Sequence, residues 1–157
     1  MTKKNKIIIV SSAGGHLTEI LELDLLRSRY EYLIVTEAVE STKNLDKIYN
    51  VKYIKPDVLN RGTLFYVNFL LNFFKALAIL VKFRPDVILT TGSHTAVPIC
   101  LLGKIFGMKI IWILSYARVS SKARSATFIY PISDLFLVQW ESAQKLYPKS
   151  VYKGGIF

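Results

Sequence analysis

The stretch Lys6-Ile-Ile-Ile-Val-Ser-Ser-Ala-Gly-Gly-His-Leu-Thr18 determines how this chain folds. Residues 7–10 are all β-branched and show no polar alternation, which is typical of a strand buried on both faces in the middle of a parallel sheet. The small residues that follow predict a tight turn at the carboxyl edge of that sheet. In doubly wound folds this edge forms the ligand crevice, and glycines there let backbone amides approach an anion at the start of the next helix.

The composition predicts one compact domain, residues 1–157, in a reducing compartment. A hydrophobic content of 52% over 157 residues supports a sizeable core and excludes disorder. The single cysteine, Cys100, has no partner for an internal disulfide, and no signal peptide is recognisable. The net charge of +10 indicates an acidic counterpart, which is nucleic acid, an anionic membrane or a phosphorylated substrate.

Apolar segments of strand and helix type alternate along the chain, which predicts βαβ units and an α/β, Rossmann-like, doubly wound parallel sheet of about six strands. The predicted strands are residues 7–10, 32–36, 51–54, 87–91, 110–114 and 135–139. After the first strand we expect one amphipathic helix. Its apolar face comprises Leu17, Ile20, Leu21 and Leu25, and its outer face Glu19, Glu22 and Arg27.

Residues 62–83 predict a helix that is unusually apolar. At about 20 residues it is roughly 30 Å long, and its polar residues form only a narrow stripe, whereas packing on a sheet needs an apolar arc of about 100°. Three interpretations follow: a crossover helix covered by its neighbours, a helix in a membrane interface, and, least favoured because polar residues interrupt it, a full span. In the interfacial arrangement the inserted side chains are Phe65, Phe69, Phe73 and Phe74.

The two histidines lie in turns of the same kind. Gly14-Gly15-His16 follows the first predicted strand, and Gly92-Ser93-His94-Thr95 follows the strand at 87–91. In the usual strand order the two turns flank one crevice. His16 at a helix amino terminus is suited to orienting an anion or to acting as a general base. A plain strand-to-helix turn with a solvent-facing imidazole is the alternative, and His94 is equally compatible with a turn or capping role.

Arg118, Lys122 and Arg124 form a basic cluster after the strand at 110–114. Such runs are commonly solvated faces, but arginine also binds phosphate through two parallel hydrogen bonds. The sequence has no dinucleotide fingerprint, P-loop or nucleophilic triad, and no acid in a clear position at a strand end. One cysteine and two histidines offer no chelating spacing. We therefore expect neither a metal nor a cofactor.

Aromatic residues are also concentrated where the chain ends. Trp140 and the tail from Tyr152 to Phe157 either pack within the chain or bind a partner, since an unattached terminus normally frays.

Together these motifs resemble a known family. The family comprises the membrane-associated subunit of the split eukaryotic transferase that adds the second N-acetylglucosamine to the dolichol-linked oligosaccharide. More closely, the chain is similar to the PssD-type proteins of bacterial capsule and exopolysaccharide synthesis. The matching segments are Ser11-Ser-Ala-Gly-Gly-His-Leu-Thr18, Thr91-Gly-Ser-His-Thr-Ala-Val-Pro-Ile-Cys100, Ser115-Tyr-Ala-Arg-Val119, Tyr130-Pro-Ile-Ser-Asp-Leu-Phe-Leu-Val-Gln-Trp140 and Tyr147-Pro-Lys-Ser-Val-Tyr-Lys-Gly-Gly155.

The resemblance implies the amino-terminal half of a GT-B glycosyltransferase. Such a half binds a lipid-diphosphate acceptor at the cytoplasmic face of the cell membrane, as a peripheral or interfacially anchored protein. A second small polypeptide supplies the half that binds the UDP-sugar, of UDP-GlcNAc or UDP-Gal type. The chain is then a subunit of a heteromeric hexosyltransferase that enhances or enables its catalytic partner and is inactive alone.

The resemblance also implies site residues. The catalytic candidate is His16, and the acceptor-binding candidates are Ser12, Gly14, Gly15, Thr18, Gly92, Ser93, His94, Thr95 and Arg118. The partner is expected to dock on Trp140, Tyr152, Gly154, Gly155, Ile156 and Phe157. One departure concerns Leu114, which stands where the family usually has an acid before the serine.

An anionic lipid diphosphate at an anionic leaflet accounts for the basic balance without nucleic acid. The competing class is non-enzymatic: a membrane-recruitment scaffold for a partner that is complete in itself. The sequence leaves this alternative, the sugar and the acceptor open.

Overall fold

The computed structural model describes residues 5–56 and 63–156, with the side chains of the long helix described from Val67 onward. The strands are β1 Lys6–Ser11, β2 Glu31–Glu37, β3 Val51–Ile54, β4 Val87–Gly92, β5 Lys109–Ile113, β6 Leu135–Val138 and β7 Val151–Tyr152. The helices are α1 Gly15–Leu21, α2 Asp24–Arg29, α3 Thr63–Phe83, α4 Val97–Ile105, α5 Arg124–Ile129 and α6 Glu141–Gln144.

The strands form one parallel sheet of seven, in the order β3-β2-β1-β4-β5-β6-β7. The chain first adds strands on one side of β1 and then, from β4 onward, on the other. The carboxyl ends of β1 and β4 are therefore the point where the strand order reverses, and such a point opens a crevice. The six predicted strands and the Rossmann-like fold class are confirmed, and the two-residue β7 is an additional strand beside β6.

Helices cover both faces of the sheet. On one face, Ile8 and Val10 pack with α3, α4, α5 and α6, which we call the α3–α6 layer. On the other, Ile7 and Ile9 pack with α1 and α2, the α1–α2 layer. This alternation along β1 explains its continuous run of β-branched residues, because both of its faces are buried. Cys100 lies in the first core, and burial raises the pKa of its thiol to about 12, so it serves as a packing residue.

The prediction of a single amphipathic helix after β1 is wrong. α1 ends at Leu21 and α2 starts at Asp24 in a new direction, so the helical period is interrupted. Leu25, expected on the apolar face, is 70% exposed. Arg27, expected to face solvent, packs with its guanidinium 5.0 Å from the centre of the Tyr49 ring and pairs with Asp24.

Helix α3 is confirmed, and its inner and outer faces are now distinguished. Asn72 is buried, and its side chain bonds both the amide and the carbonyl of Lys55 at 2.9 Å, which fixes α3 beside the end of β3. Phe73 packs against the core. The exposed large apolar side chains of α3 are Val67, Leu70, Leu71, Phe74 and Val81. Over residues 5–56 and 63–156, no helix has the length and hydrophobicity that crossing a membrane requires.

Asp134 ties three elements together at the opposite, amino-terminal edge of the sheet. Its carboxylate accepts hydrogen bonds from the ammonium groups of Lys104 and Lys109 and from the amide of Ile110. Burial by itself raises the pKa of this carboxyl, but these donors outweigh burial and lower it to about 2. These contacts fix α4 and the starts of β5 and β6 relative to one another.

Candidate functional site

A cavity of about 410 Å³ opens at the carboxyl edge of the sheet, beside the ends of β4 and β5. It lies between the turn after β4 and the loop from β5 to α5, with His16 on one wall. Its lining residues are His16, Thr91, Gly92, Ser93, His94, Trp112, Leu114, Ser115, Arg118, Lys122, Ala123, Arg124, Ser125 and Ala126. The two histidine-bearing turns predicted to share a crevice therefore do share one.

His16 lies in the first turn of α1, and its backbone carbonyl accepts a hydrogen bond from the Thr91 hydroxyl at 2.8 Å. Its Nδ1 is buried and has no hydrogen-bond partner among the described atoms. Burial lowers the pKa of the imidazole below 6.5; Glu19 acts to raise it, and Arg118 lowers it further. The neutral imidazole therefore predominates at physiological pH, and it can accept a proton.

Gly92 is the close-packed floor beside this ring. Its φ of +111° is a conformation that favours glycine. A Cβ here would lie 3.3 Å from both His16 Cε1 and Trp112 Cζ2. Its carbonyl accepts a hydrogen bond from the amide of Ser12 at 3.0 Å, which joins the ends of β4 and β1. A Cβ at this position would be in tight contact with both rings, so one of them would have to yield slightly.

Glu37, at the end of β2, is a buried acid that the sequence reading missed. Its Oε1 accepts the Thr95 hydroxyl at 2.7 Å and lies 3.8 Å from His94 Nε2. Its Oε2 accepts the amide of Ala13 at 3.3 Å. One carboxylate thus connects the turn after β1 with the turn after β4. We expected no acid in a clear position at a strand end, and that expectation is wrong.

Glu19 supplies a second carboxylate that was expected to face solvent. Its Oε1 accepts the Ser115 hydroxyl at 2.7 Å and the Tyr116 amide at 3.1 Å, which ties α1 to the loop after β5. Leu114 is buried in the core, so it contributes packing where the family resemblance led us to look for an acid. In this chain the carboxylate that contacts Ser115 comes from α1.

Three cations line the cavity without a carboxylate partner. Two of them, Arg118 and Lys122, lie on the loop before α5, and the third, Arg124, is the first residue of α5. Within the described part of the chain, none of the three has an acidic group at ion-pair distance. The guanidinium of Arg118 donates a hydrogen bond to the Ser121 hydroxyl at 3.3 Å. A cavity with this unbalanced positive charge is suited to a ligand with more than one negative charge.

The other predicted acceptor residues lie around the cavity rather than in it. Ser12 and Thr95 are buried beside it and bond to the turns described above. Gly14, Gly15 and Thr18 are exposed at the start of α1 and do not line it.

The predicted docking residues form two groups. The half-buried Trp140 donates from Nε1 to the Tyr116 carbonyl at 2.7 Å, and the two rings are 4.7 Å apart. In the tail, Tyr152 belongs to β7, and the amide of Ile156 bonds Gln139 Oε1 at 3.1 Å. Gly155 is exposed, Gly154 is partly exposed with φ +90°, and Phe157 lies outside the described residues.

The fold is similar to those of two solved proteins. Acinetobacter baumannii MurG superposes with a TM-score of 0.77 at 13% identity, over 96% of this chain and 45% of that one. A UDP-N-acetylglucosamine 2-epimerase from Rickettsia bellii gives 0.74 at 13% identity, over 98% and 45%. The chain thus spans less than half of each of these proteins. Fold and site define its class: a Rossmann-like α/β domain like one half of a GT-B glycosyltransferase, with its cavity at the carboxyl edge of the sheet.

Sequence relatives give the family. The profile described as "Oligosaccharide biosynthesis protein Alg14 like" matches residues 57–156. The human UDP-N-acetylglucosamine transferase subunit ALG14 is 29% identical, over 96% of this chain and 82% of that protein, and its rat counterpart is 30% identical over the same shares. The Candida albicans protein of that name is 45% identical over 52% of this chain and 39% of its own length. The chain belongs to the Alg14-like family.

Proposed function

We propose that this chain is the acceptor-binding subunit of a two-chain UDP-sugar glycosyltransferase that acts on a lipid-diphosphate-linked acceptor. The observation that carries the proposal is the cavity beside His16, where Arg118, Lys122 and Arg124 have no acidic partner in the described structure. A diphosphate supplies the missing negative charge. The relatives named as UDP-N-acetylglucosamine transferase subunits support the reaction class.

The cavity divides the chemical work between two kinds of group. The three cations bind the diphosphate, while the neutral imidazole of His16 faces the sugar end of the acceptor. The acceptor hydroxyl attacks the anomeric carbon of a UDP-sugar held by the partner, the bond to UDP breaks, and His16 takes the hydroxyl proton. The residues proposed to bind the acceptor around the cavity are Ser12, Gly14, Gly15, Thr18 and the turn 92–95.

The proposed setting is bacterial capsule or exopolysaccharide synthesis, as for PssD-type proteins, with a UDP-GlcNAc or UDP-Gal donor. The chain, residues 1–157, acts as a single domain and is inactive without its partner. Trp140 and the tail 152–157 form the proposed docking region, of which Tyr152 and Gly155 are exposed.

We place the protein at the cytoplasmic face of the membrane. From residue 63 to 133 the sequence has eight lysines and arginines and one acidic residue, Asp86. The exposed stripe of α3, formed by Val67, Leu70, Leu71, Phe74 and Val81, lies within this basic segment. Apolar side chains flanked by cations suit an anionic leaflet. Phe74 is the only one of the four predicted phenylalanines in this stripe; Phe69 and Phe73 are half-buried, and the side chain of Phe65 lies outside the described residues.

The test is reconstitution with the donor-binding chain. The protein is co-expressed with the neighbouring small glycosyltransferase reading frame, and transfer from radiolabelled UDP-sugars to membrane lipids is measured. We expect activity only with both chains, and a loss of about 100-fold or more in His16→Ala. Arg118→Gln combined with Arg124→Gln should raise the KM for the lipid acceptor, whereas Arg29→Gln, an exposed arginine on α2, should change nothing.

The scaffold alternative predicts a different result. If the chain only recruits a complete enzyme, the cavity variants keep full turnover as long as the two chains still co-purify. Full turnover of an intact pair carrying His16→Ala and the double arginine change therefore refutes the acceptor-binding role.

A further inference from the structure

A second depression adjoins the cationic cavity. It has a volume of about 600 Å³ and is lined by Lys122, Arg124, Thr127, Phe128 and Pro131. Lys122 and Arg124 also line the first cavity, so the two share a cationic rim. We call this surface the α5 shelf. Beyond that rim the polar, histidine-bearing lining gives way to Phe128 and Pro131.

Phe128 is the main apolar group of the α5 shelf. Its neighbours on α5, Ala126 and Ile129, are fully buried in the core, whereas Phe128 points outward and is 59% exposed. Contact between an aromatic ring and water is unfavourable, and this cost is removed when another apolar surface covers the ring. None of the described residues that line the shelf is acidic.

We propose that the α5 shelf binds the hydrocarbon chain of the acceptor where that chain leaves the diphosphate. The proposal rests on the proposed function and extends it from the head group to the lipid. A molecule with two phosphates and an apolar chain matches the order of groups from the cavity to the shelf: three cations, then Phe128 and Pro131. In this arrangement the sugar would extend the other way, toward His16, which lines the cavity and not the shelf.

The lining of the shelf distinguishes a lipid from a sugar. Sugars are commonly bound by carboxylate and amide groups that exchange hydrogen bonds with hydroxyls, and the described lining of the shelf contains neither; its one uncharged hydrogen-bonding side chain is Thr127. A hydrocarbon chain needs only an apolar surface. Lys122 and Arg124 attract the phosphates at the head of the same ligand. Because the cavity and the shelf share Lys122 and Arg124, one molecule can occupy both. We therefore assign the shelf to the acceptor itself and not to an unrelated lipid of the bilayer.

The test compares two soluble diphosphates in the absence of any membrane. Calorimetry on the full chain measures binding of inorganic pyrophosphate and of farnesyl diphosphate. We expect farnesyl diphosphate to bind more tightly, and Phe128→Ser to remove about tenfold of its affinity while pyrophosphate binding stays within about twofold. Phe128→Leu should keep most of the preference. Leu25→Ser, an exposed leucine on the other layer, should affect neither ligand, and Arg124→Gln should weaken both.

The outcomes separate the shelf from the cavity. Equal binding of the two ligands, or an equal loss of both in Phe128→Ser, overturns the shelf and leaves the diphosphate site standing. If the unmodified chain binds neither diphosphate, the proposed function and the shelf fall together. Retained pyrophosphate binding in Phe128→Ser shows that this variant is folded, so a selective loss of farnesyl diphosphate can only come from the shelf.

Discussion

The protonation state of His16 is set by the residues packed around its imidazole. A histidine in water titrates near pH 6.5 and is a mixture of forms in the cell. Here burial favours the neutral ring, while Gly92 leaves room for it and the Thr91 hydroxyl fixes its backbone. An imidazole that stays neutral contributes little to binding an anion but remains available as a proton acceptor.

His16 should make the stability of the protein depend on pH. Its pKa in the fold is below 6.5, so as the pH falls from about 6.5 the unfolded chain takes up a proton more readily than the folded one. The free energy of unfolding therefore decreases toward acid pH. In His16→Asn we expect a shallower decrease in this window, measured by urea unfolding at a series of pH values. An unchanged slope contradicts the lowered pKa, and a constant offset between the two proteins does not bear on it.

The residues that the sequence identified and those that it missed differ in one respect. His16, His94 and Arg118 stand in recognisable turns or clusters directly after predicted strands. Glu37 and Glu19 act through partners 58 and 96 residues away, Thr95 and Ser115, which no local pattern reveals. Glu19 was assigned to the outer face of the expected amphipathic helix, and Glu37 directly follows the predicted strand at 32–36, so neither was expected to be buried.

At the level of single elements, α3 illustrates what hydrophobic pattern can and cannot define. Its length and position were predictable because 21 residues of nearly continuous apolar character leave no alternative to a helix. Its orientation was not, since both faces are apolar and the polar Asn72 turned out to be buried. The hydrogen bonds from Asn72 to Lys55 and the buried side chains of Ala76 and Leu80 show which face meets the sheet.

The outer face of α3 should bind membranes in proportion to its apolar area. Leu70 and Phe74 are 56% and 59% exposed, so replacing both with serine removes contact area without opening the core. We expect Leu70→Ser with Phe74→Ser to weaken binding to vesicles containing anionic phospholipid by about tenfold or more. Co-sedimentation measures it, and the matched control is Leu25→Ser on α2. Equal vesicle binding by all three proteins contradicts a membrane role for this face.

For the molecule as a whole, the last described residues join the sheet and pack against it. β7 pairs with β6, and beyond it Ile156 packs against the α1–α2 core while its amide bonds Gln139. The tail thus crosses the carboxyl edge of β6, on the side of the sheet where the cavity opens. A partner that docks there meets a surface already held in one position.

Ile156→Asp tests whether that fixed tail recruits the partner. Burying a charge beside Gln139 is unfavourable, so the tail should detach while the rest of the sheet persists. We expect co-purification with the donor-binding chain to fall at least tenfold, with little change in the far-ultraviolet circular dichroism spectrum. The control is Lys153→Ala, an exposed position in the same tail. Undiminished pairing by Ile156→Asp places the partner elsewhere.

Glu37 has a consequence for motion. Because one carboxylate holds Thr95 from the turn after β4 and the amide of Ala13 from the turn after β1, neither turn can shift without pulling on the other. The two turns therefore form one connected surface at the carboxyl edge of the sheet. Under the proposed function, a second polypeptide that docks at this edge meets two turns already held in one arrangement, and the loop that carries Arg118 is itself tied to α1 through Glu19.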